Sequence, residues 1–125
     1  MLSTKQLQQP NNQLGVRGEQ LAQSFLLKQK YRIVGSNVAW KRLEVDIVAI
    51  TPDNSTLVFV EVKTKSTSRF GFANQAYTYK KRYSYERIGK IISARLGWKK
   101  AIRFDIIAII MHPFSLDHYQ YVNST

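Results

Sequence analysis

Thr56-Leu57-Val58-Phe59-Val60-Glu61-Val62-Lys63-Thr64-Lys65 is the stretch that decides the fold. Leu57, Phe59, Glu61 and Lys63 alternate with Val58, Val60 and Val62, and residues two apart share one face of a strand. A strand apolar on both faces is buried, and this one turns polar at its C-terminal end, where Glu61 and Lys63 stand. Just upstream, Pro52-Asp53-Asn54-Ser55 has the composition of a tight turn. It joins the strand to a neighbour at Glu44 to Thr51, in which Glu44, Asp46, Val48 and Ile50 share a face. Asp46 is thus a charge inside an apolar run. Carboxylates in such surroundings are costly unless paired or bound to metal. Two of them on adjacent strands, with a lysine two residues beyond one, suit a hard cation such as Mg²⁺ or Mn²⁺. Lys63 would then polarise water or offset charge on a phosphate.

Working outward, Tyr31 to Trp40 is rich in branched and aromatic residues, and with the two strands above predicts an antiparallel meander. Before it, Leu14, Leu21, Ala22, Phe25 and Leu26 recur at helical spacing until Lys30. Glu19 lies at the border of that apolar stripe, where it could face the sheet. Residues 1–13, rich in Gln and Asn, read as a flexible tail, leaving 14–125 as one domain. Downstream, Thr78 is a candidate cap for a helix from Tyr79 to Leu96 that Gly97 stops. Ile102 to Met111 is a strong strand, and a short edge strand is expected near Tyr119 to Val122. The order α-β-β-β-α-β predicts a single-domain α/β fold with a mixed central sheet flanked by helices.

Composition narrows the chemistry. The 125 residues contain no cysteine and only His112 and His118, which excludes disulfides, thiol nucleophiles and Cys-based zinc sites. The formal charge of +11 is carried entirely by Lys63 to Arg103, where twelve basic residues meet one acid, Glu86. The remainder is neutral and holds Glu19, Asp46 and Glu61. Such a basic segment seeks phosphate-rich partners. Tyr79, Lys80, Lys81, Arg82 and Tyr83 interleave bases with aromatics, the composition of a surface that holds phosphates and stacks bases. Lys81 falls on the core-facing side near the helix start, which itself favours phosphate. Lys65 and Arg69 could reach phosphates too. No secretion signal or membrane-length apolar run is present, so a cytoplasmic protein that does not enter membranes is expected.

The ordered set Gly15-Val16-Arg17-Gly18-Glu19, Ala22, Phe25-Leu26, Asn37-Val38, Glu44-Val45-Asp46, Val58 to Lys65, Phe70-Gly71, Ala76 and Arg103-Phe104-Asp105 resembles the small YraN-like bacterial proteins. These are placed in the PD-(D/E)xK nuclease superfamily, near Holliday junction resolvases. The resemblance implies a restriction-endonuclease-like fold and metal-dependent cleavage of DNA, branched or single-stranded substrates included. It makes Asp46 and Glu61 metal ligands, Lys63 the active-site lysine and Glu19 a helical glutamate that completes the metal site. It also implies a homodimer. Leu43 departs from the pattern, standing where the family usually has glycine. That departure keeps open an alternative, a non-catalytic DNA- or RNA-binding module with a nuclease-like fold.

Overall fold

A computed structural model describes residues 10–67 and 79–122. Its elements are α1 (Pro10–Lys28), β1 (Arg32–Trp40), β2 (Leu43–Ile50), β3 (Thr56–Lys65), α2 (Tyr79–Leu96), β4 (Ala101–Met111) and β5 (Phe114–Val122). One sheet carries the strands in sequential order, β1-β2-β3-β4-β5. The meander β1-β2-β3 is antiparallel, β4 runs parallel to β3 after the α2 crossover, and β5 returns antiparallel. The mixed sheet between two helices is the architecture expected from the element order.

The alternation in β3 assigns each face its helix. Leu57 and Phe59 join Tyr85, Ile88 and Ile92 of α2 with Phe104 of β4 in one core. Val58 and Val60 join Ala22 and Leu26 of α1 with Ile107 and Ile109 in the other. A Cβ at position 18 would collide with Thr64 Oγ1, so glycine is what lets α1 lie close over the end of β3. The next residue, Glu19, is thereby held near the same strand end. Gly97 stops α2 with φ +68°, and Trp98 N–H donates to Ser93 O at 2.9 Å in a Schellman closure.

Two boundaries differ from the sequence reading. Helix α1 begins at Pro10, so Pro10 to Gln13 belong to the helix and not to the tail; proline is well suited to a first turn because its missing N–H would have no partner there. The last strand is longer than Tyr119 to Val122. It pairs with β4 from Met111↔Phe114 to Arg103↔Val122, and the ladder outweighs the polar residues that weaken its strand signal. Thr78 and Arg69 lie outside the described residues, as do the side chains of Tyr79, Lys80, Lys81, Arg82 and Tyr83.

Candidate functional site

The pairing of β2 with β3 runs from Ile50↔Leu57 to Ile47↔Val60 and ends there. One step further, Asp46 and Glu61 would face each other. The ladder gives way instead: Val62 N–H, left without a strand partner on that side, donates to Asp46 Oδ2 at 2.7 Å. A buried N–H needs an acceptor, and a carboxylate is a strong one. Strand alternation also breaks here. Val45 packs with Val48 and Ile50 in the core under α2, whereas Ile47 faces α1, so Asp46 sits at the irregularity and not in a regular row with Glu44 and Val48. On β1, Asn37 occupies the matching place with φ +50°. Asparagine tolerates that left-handed conformation better than most residues.

Around this break the carboxylates gather. Glu61 is buried at 3 % exposure on the same face as Phe59. Lys63, two residues on, sets its Nζ 3.6 Å from Glu61 Oε2. Burial, opposed by the Val62 hydrogen bond and reinforced by the charges of Glu19, Glu61 and Glu44, pushes the Asp46 carboxyl up to about 6. Glu19 is raised as well, first by burial and then by Glu44, against a hydrogen bond from the Asn37 side chain. A cleft of about 420 Å³ opens over the group, lined by Arg42, Leu43, Glu44, Asp46, Glu61, Val62, Lys63, Ser84 and Tyr85.

The structure therefore brings Asp46, Glu61 and Lys63 together at one cleft. Glu19 approaches from the α1 side, close enough to bias Asp46, but does not line the cleft. Lys65 shares the face of Lys63 and lies beyond the lining. Asn37 and Glu44 belong to the site although sequence reasoning gave them no role. The signal for Asn37 was an asparagine within a branched, aromatic strand; for Glu44 it was its position two residues before Asp46. Leu43 takes no strained conformation. The left-handed residue of the β1–β2 turn is Lys41, at φ +56°, and Leu43 packs against the core beside Trp40.

The donor set suits a hard cation to a defined extent. Among the described residues no three His, Cys, Asp or Glu side chains converge at ligand spacing. Asp46 and Glu61 would hold the ion as a pair, a common arrangement for Mg²⁺, whose remaining positions take water and phosphate oxygens. Burial and the nearby acids both disfavour the Asp46 charge, a cost that a bound cation would relieve.

A second buried polar group lies on the α1 face. Asp105 is fully buried and accepts from Arg103 Nε and Nη2, each at 2.8 Å. His118 Nε2 stands 2.7 Å from Asp105 Oδ2, and Arg103 Nη2 also donates to Tyr31 Oη at 2.8 Å. Burial works against the Arg103 charge, but the Asp105 carboxylate outweighs it and holds the guanidinium's pKa above its ordinary value. Asp105 and Arg103, two residues apart on β4, thus form a buried ion pair.

Among the described residues no helix is long and apolar enough to cross a membrane. Comparison with known proteins gives one consistent answer. The family model described as uncharacterised protein family UPF0102 matches residues 18–109. A UPF0102 protein of Alkaliphilus oremlandii is 38 % identical over 117 residues, covering 88 % of this chain and 97 % of its own. One from Geobacter sulfurreducens is 44 % identical over 107 residues, covering 79 % and 77 % respectively. With the family's span running from Gly18 in α1 through the Asp46–Glu61–Lys63 cleft to Ile109 in β4, the chain belongs to the UPF0102 family, the YraN-like proteins that its motifs resemble.

Proposed function

We propose that this protein is a divalent-metal-dependent endonuclease that hydrolyses phosphodiester bonds of DNA. The observation that carries the reading is the convergence of Asp46, Glu61 and Lys63 on one cleft, where burial first and neighbouring acids second push the Asp46 carboxyl up to about 6. Asp46 and Glu61 would hold Mg²⁺ or Mn²⁺. The ion would supply Lewis acidity toward a phosphoryl oxygen and lower the pKa of a bound water. The protein's own groups do the rest. Val62 N–H fixes one Asp46 oxygen and so orients the carboxylate. Lys63, tethered by Glu61, presents a compact positive charge to the attacking water or to charge developing on the phosphate. Asn37 hydrogen-bonds Glu19, whose charge acts on Asp46 from the α1 side. The basic segment Lys63 to Arg103 draws the polyanion toward the cleft.

The test is cleavage of labelled duplex, single-stranded, flap and four-way-junction DNA in Mn²⁺. Lys63→Ala is expected to lower the rate by about 10²–10³-fold, the usual loss when one charge-stabilising group is removed, in a variant that circular dichroism shows to be folded. Equal rates for variant and wild type would overturn the assignment. Sedimentation of the protein with and without DNA tests the homodimer that belongs to the same reading.

The absence of a three-carboxylate ligand set among the described residues favours a second reading, a binding module that does not cut. It differs in one measurable respect. DNA affinity would fall with salt at a log-log slope of about −0.9 per neutralised phosphate, while no substrate is cleaved in Mn²⁺ or Mg²⁺.

A further inference from the structure

Beside the acidic cleft lies a smaller one of opposite character, about 300 Å³, lined by Trp40, Lys41, Arg42, Leu43 and Arg87. The two share Arg42 and Leu43, so they adjoin at the β1–β2 turn. The described lining of the second holds no acid. Its floor is made of Trp40 and Leu43, both packed against the core below, and the Arg95 guanidinium lies over the Trp40 ring, 4.2 Å from its centroid. An immobilised indole framed by Lys41, Arg42, Arg87 and Arg95 calls for a ligand that is planar and apolar at one end and anionic at the other.

We infer that this pocket receives a single unpaired nucleotide, its base replacing the exposed Arg95 guanidinium on the Trp40 ring and its phosphate against Arg42 and Arg87, next to the phosphodiester held in the acidic cleft. The inference rests on the nucleic-acid reading above and adds to it a place on the fold, the β1–β2 turn, where an unpaired base would be held. Three observations carry it. The volume is at the low end of ligand pockets, so it takes a base and not a duplex edge. Aromatic rings and arginine planes are the surfaces on which splayed bases stack. The shared residues Arg42 and Leu43 place the pocket directly beside the Asp46–Glu61–Lys63 group. The base-stacking position is therefore the β1–β2 turn, away from the tyrosine-rich run at the start of α2 where the sequence placed it.

Trp40 and Trp98 are the two tryptophans of the chain, which allows a direct readout in EDTA, without cleavage. Unlabelled oligothymidylate is titrated while binding is followed independently by anisotropy of a dye-labelled copy. Quenching of tryptophan emission is expected to persist in Trp98→Phe and to vanish in Trp40→Phe. Either variant alone decides the matter should the other fail to fold. Trp40→Ala is expected to weaken single-strand binding about tenfold, as loss of one stacked base does, with blunt-duplex affinity changed less than about twofold. Binding by anisotropy without Trp40 quenching would overturn the pocket and leave the nucleic-acid reading standing. No binding to any DNA would overturn both, and equal weakening of duplex and single strand would reduce Trp40 to a packing residue.

Discussion

Asp46→Asn melts about 5–10 °C higher than the wild-type chain at pH 8 in EDTA, and in Mn²⁺ it loses the DNA cleavage expected of the wild type. The ordinary aspartate pKa is 3.8, and here the folded state holds it at about 6. Between those values the folded protein keeps a proton that the unfolded chain has released, so stability declines as pH rises through this window. Above about pH 6 the full cost of the charge is present, up to about 3 kcal/mol. Asparagine removes the charge and can still accept the Val62 hydrogen bond. The gain over wild type is therefore full at pH 8 and shrinks toward zero near pH 4. Cation binding offsets the difference: Mn²⁺ at a hundredfold excess over its Kd would add about 2.7 kcal/mol to the wild type and nothing to Asp46→Asn, bringing the two to similar stability. Thermal melts at pH 5 and pH 8, with and without Mn²⁺, check both halves. An equal Mn²⁺ shift in the two proteins would remove Asp46 from the metal site. The trade of stability for a charged cleft is common where a site needs groups that folding alone disfavours.

Asp105→Ala has the opposite effect, a loss of about 3–5 kcal/mol, because it strands the Arg103 guanidinium between sheet and α1 without its counter-charge. The carboxylate takes two hydrogen bonds from Arg103 and stands in contact with His118, so few other changes would leave as many polar atoms unmatched. Replacing Arg103 and Asp105 together by leucine recovers most of the loss, since the desolvated charges disappear as a pair. Urea titrations of the single and double variants measure this. A single variant within about 1 kcal/mol of wild type would mean that the cluster contributes little.

Much of this architecture was legible because the deciding strand alternates cleanly. Val58 and Val60 against Leu57 and Phe59 implies a sheet covered on both faces, and Gly97 marks the end of α2 by chemistry that few other residues share. Asp46, Glu61 and Lys63 were legible as charges in apolar surroundings, where their cost demands a purpose. What escaped depends on contacts distant in sequence. Asn37 meets Glu19 only when α1 folds across β1, and His118 reaches Asp105 only once β5 pairs with β4. Neither has a local signature. The break in alternation at Asp46 was hidden for a related reason: a two-residue period read from sequence assumes a regular strand, and this strand is regular only as far as Ile47.

The amide of Val62 owes its protection to a side chain, the Asp46 carboxylate, where most buried strand amides rely on a neighbouring carbonyl. Its proton therefore experiences the ionisation and occupancy of the carboxylate it contacts. In a heteronuclear spectrum, that single cross-peak would follow protonation of Asp46 and arrival of a cation while the rest of the sheet stays silent, giving the acidic cleft its own built-in gauge.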